Sequence, residues 1–269
     1  MRPYDHNIKA GNQGDLIKHP ALMAALSALG EAHAGSEFNY IDLFAGYGIN
    51  PLLEGNEWQQ GIGQIHQTQK AVQNVDLQNY RDWYLSRPAL SGGIYPGSAL
   101  IASDTLSAQG ITASMTLYDI SAPALESLKR CFGGTHHSIV PCPALPEDTA
   151  ISTGDFIFID PPGLYSEHNP TFPHLNYLLE FEQRMARPAV MFWLPITGTG
   201  ETGGETELSQ QSVRQLRDAG YQIDKVRWAD HQRTVGCIIA TRLLAGAQQR
   251  VSDAIKAVTE LTGWQHQYD

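Results

Sequence analysis

The stretch Asp155-Phe156-Ile157-Phe158-Ile159-Asp160-Pro161-Pro162-Gly163 constrains the fold of this chain more than any other. An apolar run starting at Phe156 ends on a carboxylate, Asp160, and is stopped by two prolines. A short apolar run bounded by breakers predicts a strand buried on both faces, as in a parallel sheet. The prolines end the ladder and send the chain out over the carboxyl edge of the sheet, where ligands of open α/β folds sit. Asp160 is therefore expected at the mouth of a crevice, as a candidate catalytic carboxylate. The competing reading is that Asp-Pro-Pro only ends a strand, since short motifs recur by chance.

A carboxylate so placed, beside a main-chain carbonyl, can accept both N–H groups of a planar exocyclic amine. The lone pair of such a nitrogen is delocalised into its ring, which makes it a poor nucleophile. Held near tetrahedral and aimed at a methyl-sulfonium carbon, it can take a methyl group without a covalent enzyme intermediate.

With 269 residues, the chain is expected to form a single domain, 1–269, with a helical insertion over 51–95. It contains no run of about 18 apolar residues, so no membrane span is expected, and its first residues lack the apolar core of a signal peptide. Cys131, Cys142 and Cys237 lie far apart, which suits a reduced, cytoplasmic setting with neither a disulfide framework nor a metal site. A formal net charge of −10, from 18 Lys+Arg against 28 Asp+Glu, argues against tight, nonspecific binding of a polyanion. A local basic patch remains compatible with it. The sequence sets no oligomeric state.

Near the start, Ala10 to Leu29 read as Ala-Gly-Asn-Gln-Gly-Asp-Leu-Ile-Lys-His-Pro and then a helix rich in Ala and Leu, which Asn12 or Asp15 could cap. Lys18 and His19 stand before Pro20 and can face a ligand; taken alone, they read better as a solvated pair. Phe38 to Phe44 reads as a buried strand running into Ala45-Gly46-Tyr47-Gly48, a turn that lets backbone approach a nucleotide-type cofactor, although the full Gly-x-Gly-x-x-Gly is absent. Glu57 to Ser86 shows helical spacing at Ile62, Ile65, Val72 and Val75, and its aromatics read as a small core. Ser98, after Tyr95-Pro96-Gly97, is the expected cap of the next helix. Ser114 to Asp119 is a strand ending on an acid, the residue type that holds ribose hydroxyls. Ser121 then opens a helix, Ser138 to Val140 is a short strand, and Ala189 to Leu194 is a strand expected to stop at Pro195. Leu164 to His174 and Thr197 to Thr206 are candidate lids. Leu208 to Ala219 reads as a helix, Tyr221 to Ala229 and Gly236 to Arg242 as closing strands, and Gln248 to Leu261 as a terminal helix. The histidines show no metal-ligand spacing.

Several of these motifs line up in one order: Gly-Asn-Gln-Gly-Asp-Leu-Ile-Lys-His (11–19), Tyr-Ile-Asp-Leu-Phe-Ala-Gly-Tyr-Gly (40–48), Tyr-Pro-Gly-Ser-Ala-Leu-Ile-Ala (95–102), Tyr-Asp (118–119) and Ile-Asp-Pro-Pro (159–162). In this the chain resembles the RlmJ-type family, the large-subunit ribosomal RNA adenine-N6 methyltransferases, over nearly its whole length. The resemblance implies an α/β fold, a Rossmann-like class I methyltransferase sheet with a small helical insertion, binding S-adenosylmethionine and acting on RNA. It implies catalysis by Asp160 and cofactor contacts from Lys18, Ser98 and Asp119, with His19, Asp42, Gly46 and Gly48 as further candidate cofactor contacts. It places Tyr4 and His6 near the substrate, with Asn12, Pro161, Pro162 and Tyr165 as further candidate substrate contacts. Three positions depart from the pattern. Gly163 stands where the family carries a base-stacking aromatic, a role Tyr165 could take over. Cys142-Pro143-Ala144 replaces Ala-Asp-Gly, and Phe44 replaces a histidine. Two alternatives follow: a methyltransferase of a non-ribosomal or small substrate, or a binding protein that keeps the fold without the activity.

Overall fold

Strand β6 (Asp155–Ile159) is buried along its whole length, with Phe156 and Phe158 in one core and Ile157 and Ile159 in the other. A strand apolar on both faces needs layers above and below it, and the chain supplies them. The computed structural model of the protein describes residues 9–32, 38–55, 57–68, 70–87, 93–141, 151–161, 175, 179, 187–198, 204–229 and 234–268. Tyr4, His6, Cys142, Pro162, Gly163, Tyr165 and most of the two candidate lids lie outside these residues.

In the sheet, β6 pairs in parallel with β1 (Phe38–Asp42) on one side and β7 (Ala189–Thr197) on the other. Strands β4 (Ala113–Tyr118) and β5 (Ser138–Val140) continue the parallel part beyond β1. Beyond β7 come antiparallel β9 (Thr234–Arg242), β8 (Gln222–Arg227) and β10 (Gln265–Tyr268). The eight strands run in the order β5-β4-β1-β6-β7-β9-β8-β10. This is the mainly parallel, Rossmann-like α/β sheet expected from the sequence. The chain leaves β1 toward β4 on one side and returns across it to β6 on the other. The carboxyl ends of β1, β4 and β6 therefore border the switch-point crevice.

One face is covered by α1 (Gln13–Ala32), α4 (Ser98–Ala108) and α7 (Ala245–Thr262), and α6 (Glu207–Asp218) covers the other. Helix α1 is buried on nearly every side, as an Ala/Leu helix without a polar stripe must be. Its cap is Asn12, whose side chain accepts from the Asp15 N–H at 3.2 Å. Pro20 lies inside the helix, so Lys18 and His19 belong to its first turns and are not in a loop ahead of it. Helix α5 (Ala122–Phe132) follows β4, with Ser121 at its N-cap.

Between β2 (Ile49–Pro51) and β3 (Ile94–Pro96), which pair with each other, lie a 3₁₀ turn (Glu57–Gln60) and helices α2 (Gly63–Gln67) and α3 (Val75–Leu85). Ile62, Ile65, Tyr80 and Tyr84 are buried there, but Val75 is 61% exposed. The apolar spacing read from the sequence breaks at that point because Asn74 caps α3, accepting from the Leu77 N–H at 2.9 Å, and this leaves Val75 on the outer first turn. A second correction concerns β7, which runs through Pro195 to Thr197 rather than stopping there. Its pairing with β6 ends at Phe192, so the later residues have one unpaired edge, where a missing N–H is tolerated. Strand β10 was not foreseen in the polar tail.

Helix α3 is fastened to the terminal helix by a fork. Arg250 donates from Nε and Nη2 to the two oxygens of Asp76, at 3.0 and 2.6 Å, and from Nη1 to Glu31 at 2.8 Å. The pairing holds the Arg250 guanidinium well above its ordinary pKa. Asp76 is buried, so Arg250→Ala would strand its carboxylate. The expected loss is about 3 kcal/mol in unfolding free energy by urea denaturation, with Arg250→Lys recovering only part of it because a lysine cannot make the fork.

Candidate active-site cleft

Three strand ends converge on a cleft of about 190 Å³ lined by Lys18, His19, Gly46, Ser98, Asp119 and Asp160 among others. The remaining wall comes from Phe44, Ala45, Tyr47, Gly97, Ile120, Ser121 and Ala124. Asp160 follows β6 and Asp119 follows β4, as strand-end acids should. Gly46 lies just past β1.

Lys18 and His19 are not solvated; they are 5% and 3% exposed. This corrects the surface reading and follows from their place in a helix pressed onto the sheet. Lys18 Nζ pairs with Asp15 Oδ1 at 2.6 Å and with Asp160 Oδ2, and sits 5.3 Å from the centre of the Trp193 ring. Asp15 Oδ2 in turn accepts from the Gly11 N–H at 2.6 Å. The ammonium thus anchors the Asp160 carboxylate to α1. His19 Nδ1 lies 2.6 Å from the Tyr95 hydroxyl.

Asp119 is seated by backbone. Its Oδ2 accepts from the Gly46 N–H at 2.8 Å and its Oδ1 from the Ser121 N–H at 2.7 Å. Each oxygen keeps a second lone pair that can accept from a vicinal diol. Gly46 has φ +60°, a left-handed conformation open to glycine, which turns the chain from β1 beneath the cleft. Gly97 lies so close to the Tyr47 carbonyl that a Cβ would collide with it. Its N–H donates to the Gly48 carbonyl at 2.9 Å. Gly48 itself does not line the cleft.

Asp42 is wholly buried and also does not line the cleft; it lies beneath it. Ser98 Oγ donates to Asp42 Oδ2 at 2.6 Å, the Tyr40 hydroxyl donates to the same oxygen at 2.9 Å, and the Phe44 N–H donates to Oδ1 at 3.2 Å. Ser98 therefore does not cap α4, as the sequence suggested. Gly97 is the N-cap, and the serine hydroxyl turns to the buried acid, a stronger acceptor. Burial pushes the Asp42 carboxyl up to about 7, with Asp160 adding to the rise and the three donors opposing it. Asn12 stays at its cap, with its side-chain N–H 3.4 Å from Glu57 Oε2. Pro161 is buried beside Asp160.

Residues the sequence reading did not single out are Tyr40, Trp193 and Ile120, and it read Asp15 only as a possible cap of α1. Asp15 was legible as the i−3 partner of Lys18 once both lay in one helix. Ile120, 70% exposed directly after the strand-end acid, had its position in the sequence as a signal. Trp193 and Tyr40 gave none, because their roles depend on strand register. Among the described residues, no group of three or more His, Cys, Asp or Glu is placed to hold a metal ion, and no helix is long and apolar enough to cross a membrane.

The raised Asp42 carboxyl carries a pH signature. Between the ordinary carboxylate range and about pH 7, the folded protein holds a proton there that the unfolded chain has released. Stability therefore falls as pH rises through that window and levels off above it. Denaturation of wild type and Asp42→Asn between pH 4 and 8 should show their difference shifting in favour of the variant by up to about 4 kcal/mol.

No family model matches the chain. The ribosomal RNA large subunit methyltransferase J of Haemophilus influenzae is 27% identical over 132 residues, 47% of this chain and 46% of that protein. The chain thus aligns with about half the length of this curated relative. A solved structure of a Legionella pneumophila protein under the family model DUF519 superposes with a TM-score of 0.75 at 16% identity, covering 97% of both chains, which shows a shared fold. Aeropyrum pernix fibrillarin, solved with bound S-adenosyl-L-methionine, superposes at a TM-score of 0.38 and 15% identity over 53% of this chain and 60% of its own, too low to bear on it. By sequence along just under half its length, and by the ordered motifs along nearly all of it, this chain resembles the RlmJ-type methyltransferases.

Proposed function

We propose that the chain is an S-adenosylmethionine-dependent N-methyltransferase acting on the exocyclic N6 of an adenine in RNA, with ribosomal RNA the first substrate class to try. The observation that carries this reading is the pairing of Asp160 with Lys18 at the edge of a cleft whose other edge is Asp119 on the Gly46 turn. One edge suits an acceptor for an amine, the other an acceptor for a ribose.

The cleft fits the cofactor by the chemistry of its donors and acceptors. Asp119 offers lone pairs to two ribose hydroxyls, and Lys18, His19 and Ser98 supply polar groups for an amino-acid end. The bound cofactor supplies an electrophilic methyl carbon on a sulfonium, which leaves as a neutral thioether. The rest falls to the chain's own residues. Asp160 accepts an N–H of the target amine through the carboxylate oxygen that Lys18 does not engage, and a proline carbonyl of the Asp-Pro-Pro turn accepts the other. The nitrogen is thereby held near tetrahedral with its lone pair free to attack. Lys18 holds the carboxylate in place.

The resemblance to the Haemophilus protein supports the RNA substrate, and the net charge of −10 favours a second reading, a small or non-ribosomal amine. Asp160→Ala should keep affinity for S-adenosylmethionine within a few-fold by calorimetry while methyl transfer falls by roughly 10²-fold or more. Wild-type turnover in that variant would remove Asp160 from the chemistry. Asp119→Ala should weaken cofactor binding by about 1.5–3 kcal/mol.

The substrate is tested by methylation of ribosomal RNA fragments beside free nucleosides, peptides and DNA, with Tyr165→Ala in parallel. Transfer to an RNA adenine that collapses in the variant supports Tyr165 as the replacement stack, worth about 1–3 kcal/mol. Transfer only to a small molecule selects the second reading. RNA binding itself should show a shallow slope of log affinity against log salt, because an acidic chain makes few phosphate contacts.

A further inference from the structure

Negative charge outweighs positive charge at the cleft. Among the described residues, Asp119 and Asp160 stand on its walls with Lys18, and Asp15 stands behind Lys18 in the first turn of α1. Three carboxylates thus face one ammonium, and that ammonium is already shared between Asp15 and Asp160. Two helix ends offset part of the excess. The Ser121 N–H at the start of α5 donates to Asp119, and α4 begins at Ser98 on the cleft wall. Each helix N-terminus is equivalent to about half a positive charge. With histidine neutral, an excess of about one negative charge remains.

Groups beneath the cleft respond to it. Burial, first of all, pushes the Asp42 carboxyl up to about 7, and the charge of Asp160 adds to the rise. The Tyr40 phenol is raised by burial, then by Asp42, with Asp160 again adding. A further negative charge is resisted there, so a positive one is favoured.

We propose that the cleft selects its occupant by charge, taking a cationic ligand in preference to a neutral one of the same shape, and that Asp160 sets the preference. The identity of that ligand rests on the function proposed above. S-adenosylmethionine is a cation overall, because its ammonium and carboxylate cancel and its sulfonium remains. Methyl transfer to an amine carries the methyl group away, leaves the bonding pair on sulfur, and yields the neutral thioether S-adenosylhomocysteine. The cleft therefore holds the cofactor more tightly than the spent product, and loss of charge promotes release. Lys18 has no part in meeting the ligand; its pairing only limits how much of the acidic charge is left over.

Calorimetry at pH 7.5, above the ordinary histidine value of about 6.5, compares three ligands. These are S-adenosylmethionine, S-adenosylhomocysteine and sinefungin, in which an amine-bearing carbon replaces the methylated sulfur and keeps the positive charge. Both cations are expected to bind about 3- to 10-fold more tightly than the thioether at low salt, as one uncompensated charge near a protein surface gives. Raising the ionic strength should narrow the gap. Asp160→Asn, which keeps the shape and removes the charge, should close most of it. A thioether that binds wild type as tightly as the cations overturns the proposal, whether or not the variant folds. An undiminished preference in folded Asp160→Asn does the same. Either result leaves the proposed function standing, whereas absence of binding by all three ligands overturns both.

Discussion

The Lys18 ammonium, held between Asp15 and Asp160 over the face of Trp193, is the interaction on which the cleft depends. Three charged groups lie there with little exposure, side chains at 7%, 5% and 16%, in a place where an unpaired charge would be costly. The arrangement holds because each charge has several partners. Asp15 lies in the first turn of α1, where the helix dipole favours an anion, and takes the Gly11 N–H as well. Lys18 gains the ring quadrupole of Trp193. Asp160 is therefore fixed from outside its own strand, and the carboxyl end of β6 is locked to the first helix of the chain.

That lock explains why the molecule needs a buried helix ahead of its first strand. In an open parallel sheet the crevice is fixed by topology, at the carboxyl ends on either side of β1. Topology alone leaves the strand-end side chains loose. Here each one is tethered by a group from another element: Asp160 by α1, Asp119 by the Gly46 turn and the start of α5, Ser98 by the acid at the end of β1. Rigid positioning of this kind lets a carboxylate act by orientation rather than by proton transfer.

The sheet was largely legible in the sequence because its parallel strands are short runs of mostly β-forming residues, continuous in β6 and alternating in β4, and the strand-end acids Asp119 and Asp160 were legible because each closes such a run. The apolar pattern failed at Val75, where a cap took precedence over the spacing, and at Pro195, where an unpaired edge tolerates a proline. Ser98 was misread as a cap because sequence shows a residue's local options and not a distant competitor. Asp42, 56 positions away, was the better acceptor. The burial of Lys18 and His19 and the parts of Trp193 and Tyr95 had no local signal at all. They arise from contacts between elements far apart in the chain, and no periodicity encodes such contacts.

In the proposed reaction an acidic chain and an RNA substrate are less at odds than the net charge suggests, because the charge would enter the affinity and the strand-end carboxylate the chemistry. Phosphate contacts set how tightly and how salt-dependently a polyanion is held, and a surplus of Asp and Glu weakens that term. Methyl transfer to an amine asks only that one base be held with its nitrogen at Asp160, and the interactions that do this are short-ranged and act inside the cleft. A weak grip raises the substrate concentration needed, and leaves the barrier from the bound state as low as the cleft geometry makes it. The Lys18 ammonium reinforces the separation: paired with two carboxylates, it is committed to the site and adds nothing to a phosphate-binding surface.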